Sequence, residues 1–295
     1  MEGFFNGRGT KERWLEHFRG ILNQPNPPNP TASMTRSLKK TEKLVVNTVC
    51  RNREEVIAAI ECFRNRKYPG MDEITAELLK AGGSAIEESL VKLFSRCWSR
   101  REVPEDWWRG VIVKLPEKED LSDSGNWRGI TLLSVPGKTF CSVLLQRLRT
   151  AIDERLREEQ ARFRGGRSCC EQIFTLRNII EQCVKYCLPV VIDYVDFKKA
   201  FDSFQRSNRY GLCPATLHQH IQESVLHLVL CVSMDTGYTP FFQIATGVRQ
   251  GCNLSPILFT ICLDFVMKKT MEKVSTFSAR ATVKGGFIIE NAVKA

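Results

Sequence analysis

Val190-Val-Ile-Asp-Tyr-Val-Asp-Phe-Lys-Lys-Ala-Phe-Asp-Ser203 is the stretch on which the fold turns. A run of strand-forming residues delivers a carboxylate, Asp196, at its end, and Phe201 follows in the pattern D-F-x-K-A-F-D. A charge at the mouth of a buried strand is costly unless a cation or a hydrogen-bond partner receives it. Phosphoryl-transfer sites built on two divalent ions put a carboxylate in that position. Taken alone, the same string also reads as a strand that merely ends in charged residues.

Composition narrows the partners. The chain of 295 residues is 43% hydrophobic and 26% charged, enough for one large or two ordinary domains with a real core. Its net charge of +10 and pI near 9.1 favour a polyanion. Basic residues concentrate at 36–43 and 162–167, and no basic helix carries a strong aromatic face, so nucleic acid is expected over a membrane surface. The longest apolar run, 256–267, is too short to span a bilayer and contains Asp264. The twelve cysteines are irregularly spaced in a large chain that opens without a signal peptide. A reduced, intracellular protein of cytoplasm or nucleus is expected, not a secreted one. Cys183, Cys187, His218 and His220 match no usual zinc spacing, and both cysteines fall on an apolar helix face.

Periodicity supplies the organisation. A short amphipathic segment over 14–22 leads into a proline-rich linker at 23–30. Asn52 with Glu55, and Ser84 with Glu87, predict capped helices, the first running to about residue 64. Residues 110–115 read as a strand. Two apolar stripes follow, Phe140, Leu144, Leu148, Ile152 and Leu156, then Ile173, Leu176, Ile180, Cys183 and Cys187. Both are expected to be core. The expected class is α+β, with a helical extension over 1–108 and a second region over 109–295 that diverges after about 270.

The blocks around Asp196 identify what it belongs to. Upstream stand Lys67-Tyr-Pro-Gly-Met-Asp-Glu-Ile-Thr-Ala-Glu-Leu-Leu79, Val103-Pro-Glu-Asp-Trp107, Val111-Ile-Val-Lys-Leu-Pro116, Asn126-Trp-Arg-Gly-Ile-Thr-Leu-Leu133 and Gln160-Ala-Arg-Phe-Arg-Gly-Gly-Arg-Ser168. Downstream stands Thr246-Gly-Val-Arg-Gln-Gly-Cys-Asn-Leu-Ser-Pro-Ile-Leu-Phe259. In this order they resemble the reverse transcriptases of non-LTR (LINE-like) retrotransposons, over residues 14–269. The resemblance implies an incomplete right-hand polymerase fold of fingers and partial palm, without a thumb. It also implies an RNA template, a DNA primer, dNTPs and Mg²⁺ (or Mn²⁺), weakly held if at all.

The resemblance assigns roles residue by residue. Asp196 matches the catalytic carboxylate that binds both ions, joined by the Phe197 carbonyl. Phe201 matches the ring beneath the incoming sugar that leaves no room for a 2′ hydroxyl. Arg128 matches the arginine that grips the triphosphate, on a strand that Trp127 would anchor. Lys118 survives from a basic pair, but in Leu115-Pro-Glu-Lys-Glu-Asp120 the flanking Glu117 and Glu119 oppose phosphate. Gln250 and Gly251 match the block supporting the nucleotide and template base. Arg162, Arg164 and Arg167 around Gly165-Gly166 read either as a phosphate-contacting turn or as a solvated loop.

Departures are equally legible. The family's [FY]-x-D-D hairpin should follow the Gln250-Gly251 block, yet no Asp-Asp pair occurs in these 295 residues. The spacer after Asp202, Gln205-Arg-Ser-Asn-Arg-Tyr-Gly-Leu-Cys-Pro214, is shortened. The expectation is a decayed or internally spliced fragment of an RNA-directed DNA polymerase, catalytically incomplete unless a surrogate such as Asp264 serves. The alternative is a non-catalytic nucleic-acid-binding remnant.

Overall fold

The computed structural model describes residues 7–24, 53–192, 194, 228–246, 251–273, 280–283 and 286–289. Two compact units emerge, one from residues 1–148 and 201–255, the other from 149–200 and 256–295. The described helices before residue 108 and the first sheet share one unit, and the units divide within a helix at 148/149.

The first unit is organised by a mixed sheet. Strands β1 (Arg109–Pro116) and β2 (Trp127–Leu133) pair antiparallel, with Val111 opposite Leu132 and Leu115 opposite Arg128. On its other side β1 pairs in parallel with β3 (Val229–Met234). Strand β3 also pairs with the short β4 (Gly237–Tyr238) and β5 (Phe242–Gln243). In the order β2-β1-β3-β4 the strand carrying Arg128 is an edge. The sheet is rich in Val, Ile and Leu, and Ile112, Leu133, Leu230, Cys231 and Val232 are buried.

Helix α1 (Gly7–Leu22) places Trp14 and Phe18 four residues apart, and both are buried. Trp14 meets Trp127 edge-on at 5.4 Å. Asn23 and Gln24, at the head of the expected linker, are pinned. Asn23 Oδ1 accepts from the Ala245 amide at 2.8 Å, and the Gln24 amide donates to Thr246 Oγ1 at 3.2 Å.

Helices α2 (Arg53–Glu61), α3 (Ala76–Ala81) and α4 (Gly83–Arg100) pack together in this unit. The capping expectation at Ser84 is not met, while Asn52, the other expected cap, lies outside the described residues. Gly82, in helical φ/ψ, ends α3 and begins α4 without side-chain capping, so Ser84 lies inside the helix. Glu87 instead accepts from Arg53, and Glu55 from Arg147. Helix α2 stops at Glu61, short of 64, where the Lys80 ammonium donates to the Phe63 carbonyl at 2.8 Å.

Helix α5 (Val135–Asp153) carries the first predicted stripe from Phe140 to Ile152, Leu156 follows just beyond its end, and Phe140, Leu144, Leu148, Ile152 and Leu156 are all buried. The second unit holds α6 (Cys169–Lys185), the body of α7 (Ser255–Lys273) and a hairpin of β6 (Arg280–Val283) with β7 (Gly286–Ile289). A Ser168–Glu171 capping box starts α6, a signal plain in the sequence but not drawn from it. The second stripe is not the core it was expected to be. Cys183 is buried, but Ile173 is 58% exposed, Phe174 65%, and Cys187 is exposed. Periodicity fixes which side of a helix is apolar, whereas coverage depends on the elements that pack there.

Candidate functional site

The site grows from the β1–β2 hairpin. Residues alternate across a strand, so Trp127 and Gly129 share one face of β2 while Arg128 and Ile130 share the other. Helix α1 occupies the first face: a Cβ added at Gly129 would stand 2.6 Å from Phe18 Cε1, so glycine allows the close approach. Lys114 lies on that side, its ammonium 5.0 Å from the Trp14 ring centre, and burial pushes its pKa below the usual lysine value. On the second face Leu115, Arg128 and Ile130 are exposed.

The connecting loop is held by its own polar groups. Asp120 accepts from the Ser122 hydroxyl at 2.6 Å and amide at 3.0 Å, which lowers its pKa. Asp123 accepts from the Gly125 amide at 2.7 Å, and the Trp127 indole donates to the Leu121 carbonyl at 3.1 Å. Trp127 thus fixes the strand from both its ring and its N–H, as expected of it. Lys118 is exposed at the start of this loop. Glu117 does more than flank it, because its Oε1 lies 3.4 Å from Arg128 Nη1, an ion pair with side chains 48% and 52% exposed.

Gly251 joins the hairpin from far along the chain. Its φ is +120°, and a Cβ there would come within 2.4 Å of the Thr131 carbonyl oxygen. Only glycine tolerates both conditions. Arg128 and Thr131 are three residues apart, roughly 10 Å along a strand. The arginine and the glycine turn, predicted from separate motifs, therefore both sit at β2, roughly 10 Å apart along it.

A cavity of about 10 Å³ lies beside the turn, lined by Trp107, Ser134, Lys138 and Cys252 among others. Burial pushes the Lys138 pKa down, while Cys252 and Asp72 pull it up.

In the second unit, the three arginines of the glycine turn divide. Arg164, its side chain 8% exposed, donates to Asp153 Oδ1 at 2.6 Å, to the Asp153 carbonyl at 3.1 Å and to the Arg157 carbonyl at 2.7 Å. Its guanidinium closes the C-terminal end of α5, where unpaired carbonyls collect, and the same bond holds the Asp153 pKa low. Arg162 and Arg167 are exposed, and Arg162 stacks over Phe163 at 4.8 Å. Spacing alone treats these three arginines alike; burial separates them.

Asp264, the proposed surrogate carboxylate, accepts from Arg157 Nε at 2.9 Å and is mostly buried, so its charge is already answered. Asp196, Phe197, Phe201 and Gln250 lie outside the described residues, as do Asp202, His218 and His220. Among the described residues no group of three His, Cys, Asp or Glu side chains could hold a metal ion. None of the described helices is long and apolar enough to cross a membrane.

Comparison with known proteins identifies the family. The family model described as reverse transcriptase (RNA-dependent DNA polymerase) matches residues 116–283, more than half of the chain. The 115 kDa protein of the Drosophila melanogaster type-1 element R1DM is 29% identical over 73% of this chain and 22% of its own length. The probable RNA-directed DNA polymerase from transposon BS of the same organism is 26% identical, over 70% and 24%. A 149 kDa protein of the Xenopus laevis transposon TX1 is 24% identical, over 72% and 16%. The chain thus spans a quarter or less of these relatives. A partial Cas6-RT-Cas1–Cas2 complex aligns over 81% of this chain and 36% of its own, with TM-score 0.41 and 14% identity. The chain belongs to the reverse transcriptase family, in the lineage carried by non-LTR retrotransposons.

Proposed function

We propose that the chain is the nucleotide- and template-handling part of a retrotransposon RNA-directed DNA polymerase, holding an RNA template, a DNA primer and a dNTP. One observation carries this: Arg128 is exposed on the edge strand β2, and the Gly251 turn lies against the same strand at Thr131. A planar guanidinium accepts phosphate oxygens bidentately. Lys118 adds charge from the adjoining loop, Gln250 and Gly251 support the base pair being formed, and the Phe201 ring excludes a 2′ hydroxyl. The hairpin serves as the fingers. Arg162 and Arg167 contact the nucleic-acid backbone, while Arg164 holds the turn that presents them.

Asp196, with the Phe197 carbonyl, would hold Mg²⁺ or Mn²⁺, which when bound lowers the pKa of the attacking 3′ hydroxyl and neutralises the leaving pyrophosphate. No Asp-Asp pair occurs in these 295 residues and Asp264 is bonded to Arg157, so the chain by itself does not complete a two-ion site. Loss of part of a pre-organised charge cluster costs roughly a thousandfold in rate.

The test is primer extension on an RNA template with Mg²⁺ or Mn²⁺, beside binding of the same duplex by anisotropy. The expected result is salt-sensitive binding with no product above that of Asp196→Ala. Extension that disappears in Asp196→Ala would overturn the catalytic part of the proposal. Absence of binding would overturn the rest. A non-catalytic nucleic-acid-binding role is the second reading, favoured by the net charge of +10. Duplex binding with no dNTP recognition would select it.

A further inference from the structure

We propose that Glu117 is a built-in competitor for the phosphate-binding side of Arg128, so that the chain quenches its own polyphosphate site. This rests on the reading of Arg128 given above. The Glu117 amide donates to the Asn126 carbonyl at 2.8 Å, which carries the ladder one pair beyond Pro116 and Trp127. Glu117 is two residues beyond Leu115, the register partner of Arg128, so its side chain leaves the face that Arg128 uses. Across a hairpin such diagonal neighbours are within reach of long side chains. The 3.4 Å separation between Oε1 and Nη1 is the outcome.

A carboxylate offers the guanidinium the same acceptor geometry as a phosphate. Glu117 is tethered beside Arg128, so it competes at a fixed local concentration, whereas a polyphosphate must arrive from solution. An exposed pair of this kind is worth up to about a fivefold factor in an equilibrium. Displacement does not remove the carboxylate either. Its backbone is held by the ladder, so it stays near the bound anion and repels it, more strongly at low salt. The position is therefore set against free polyphosphate by both competition and repulsion, independently of the missing Asp-Asp block.

Inorganic tripolyphosphate is the probe, titrated by calorimetry at low and moderate salt against the full chain and its Glu117→Gln, Glu119→Gln, Arg128→Ala and Glu117→Gln/Arg128→Ala variants. Glu119 is exposed on the same loop and serves as an equal-charge control. Glu117→Gln is expected to bind three- to tenfold more tightly, Glu119→Gln less than twofold. In the Arg128→Ala background the Glu117 change should give less than twofold. An equal gain from Glu119→Gln, a gain that survives Arg128→Ala, or no gain at all overturns the proposal. Wild-type binding that needs Arg128 but ignores Glu117 would sink only the competitor. Failure of every variant to bind would sink the polyphosphate reading of Arg128 as well.

Discussion

Replacing Gly251 by alanine tests whether the glycine turn and the arginine strand form one unit. The new Cβ would lie 2.4 Å from the Thr131 carbonyl oxygen, and ordinary contact begins at 3.4 Å, so the two must part by about 1 Å. Thr131 is paired with Ile112 inside the ladder, so its carbonyl yields less easily than the turn. The substitution must also hold alanine at φ +120°, a strain of about 1–3 kcal/mol. Clash and strain together predict a loss of about 2–4 kcal/mol, or roughly 4–16 °C in the melting of a unit this size. Two other glycines separate the terms. Gly166 has φ +71° with nothing within 4 Å of an added Cβ, so Gly166→Ala reports strain alone, about 1 kcal/mol. Gly165 has neither problem and Gly165→Ala should be neutral. Urea denaturation of the three variants gives the series, and tripolyphosphate titration shows whether the displaced turn disturbs the Arg128 site. A Gly251→Ala loss no larger than that of Gly166→Ala would refute the close packing of the turn on β2.

Arg147 is 7% exposed, bonded to Glu55 at 2.5 Å and set 4.9 Å from the Trp98 ring, so Glu55→Ala leaves a buried cation and should cost about 3–5 kcal/mol in urea denaturation. Arg147→Met leaves the better-solvated Glu55 and should cost less; the reverse order would contradict the burial. Arg164→Ala should destabilise by about 2–3 kcal/mol, since it orphans partly buried acceptors. Arg162→Ala and Arg167→Ala should stay within about 0.5 kcal/mol, and each should reduce the slope of log affinity for nucleic acid against log salt by about 1. Lys138 releases its proton below its unfolded value of 10.5, so the unfolded chain binds more protons in that interval and stability rises with pH there. Lys138→Met should flatten most of this rise, leaving the part that Lys114 contributes in the same direction.

Local pattern carried a large share of this protein. The four-residue steps from Phe140 to Leu156 named a buried stripe, and Val111-Ile-Val-Lys-Leu-Pro116 named a strand, because both are written in a period that a single element reads out. The ordered blocks from Lys67 to Phe259 named the family. The sequence by itself also separated Glu117 from the basic residue usual at its position. Tertiary structure decided what those local signals could not. It turned the Ile173 stripe outward, gave Glu87 to Arg53 rather than to a helix cap, paired Glu55 with Arg147, and divided Arg164 from Arg162 and Arg167. It paired Glu117 with Arg128 and set Gly251 against Thr131, 120 residues away. Periodicity records which face of an element is apolar or charged, but the partner that meets that face is chosen by packing between distant segments. A carboxylate, a guanidinium or a missing Cβ acquires its role only there.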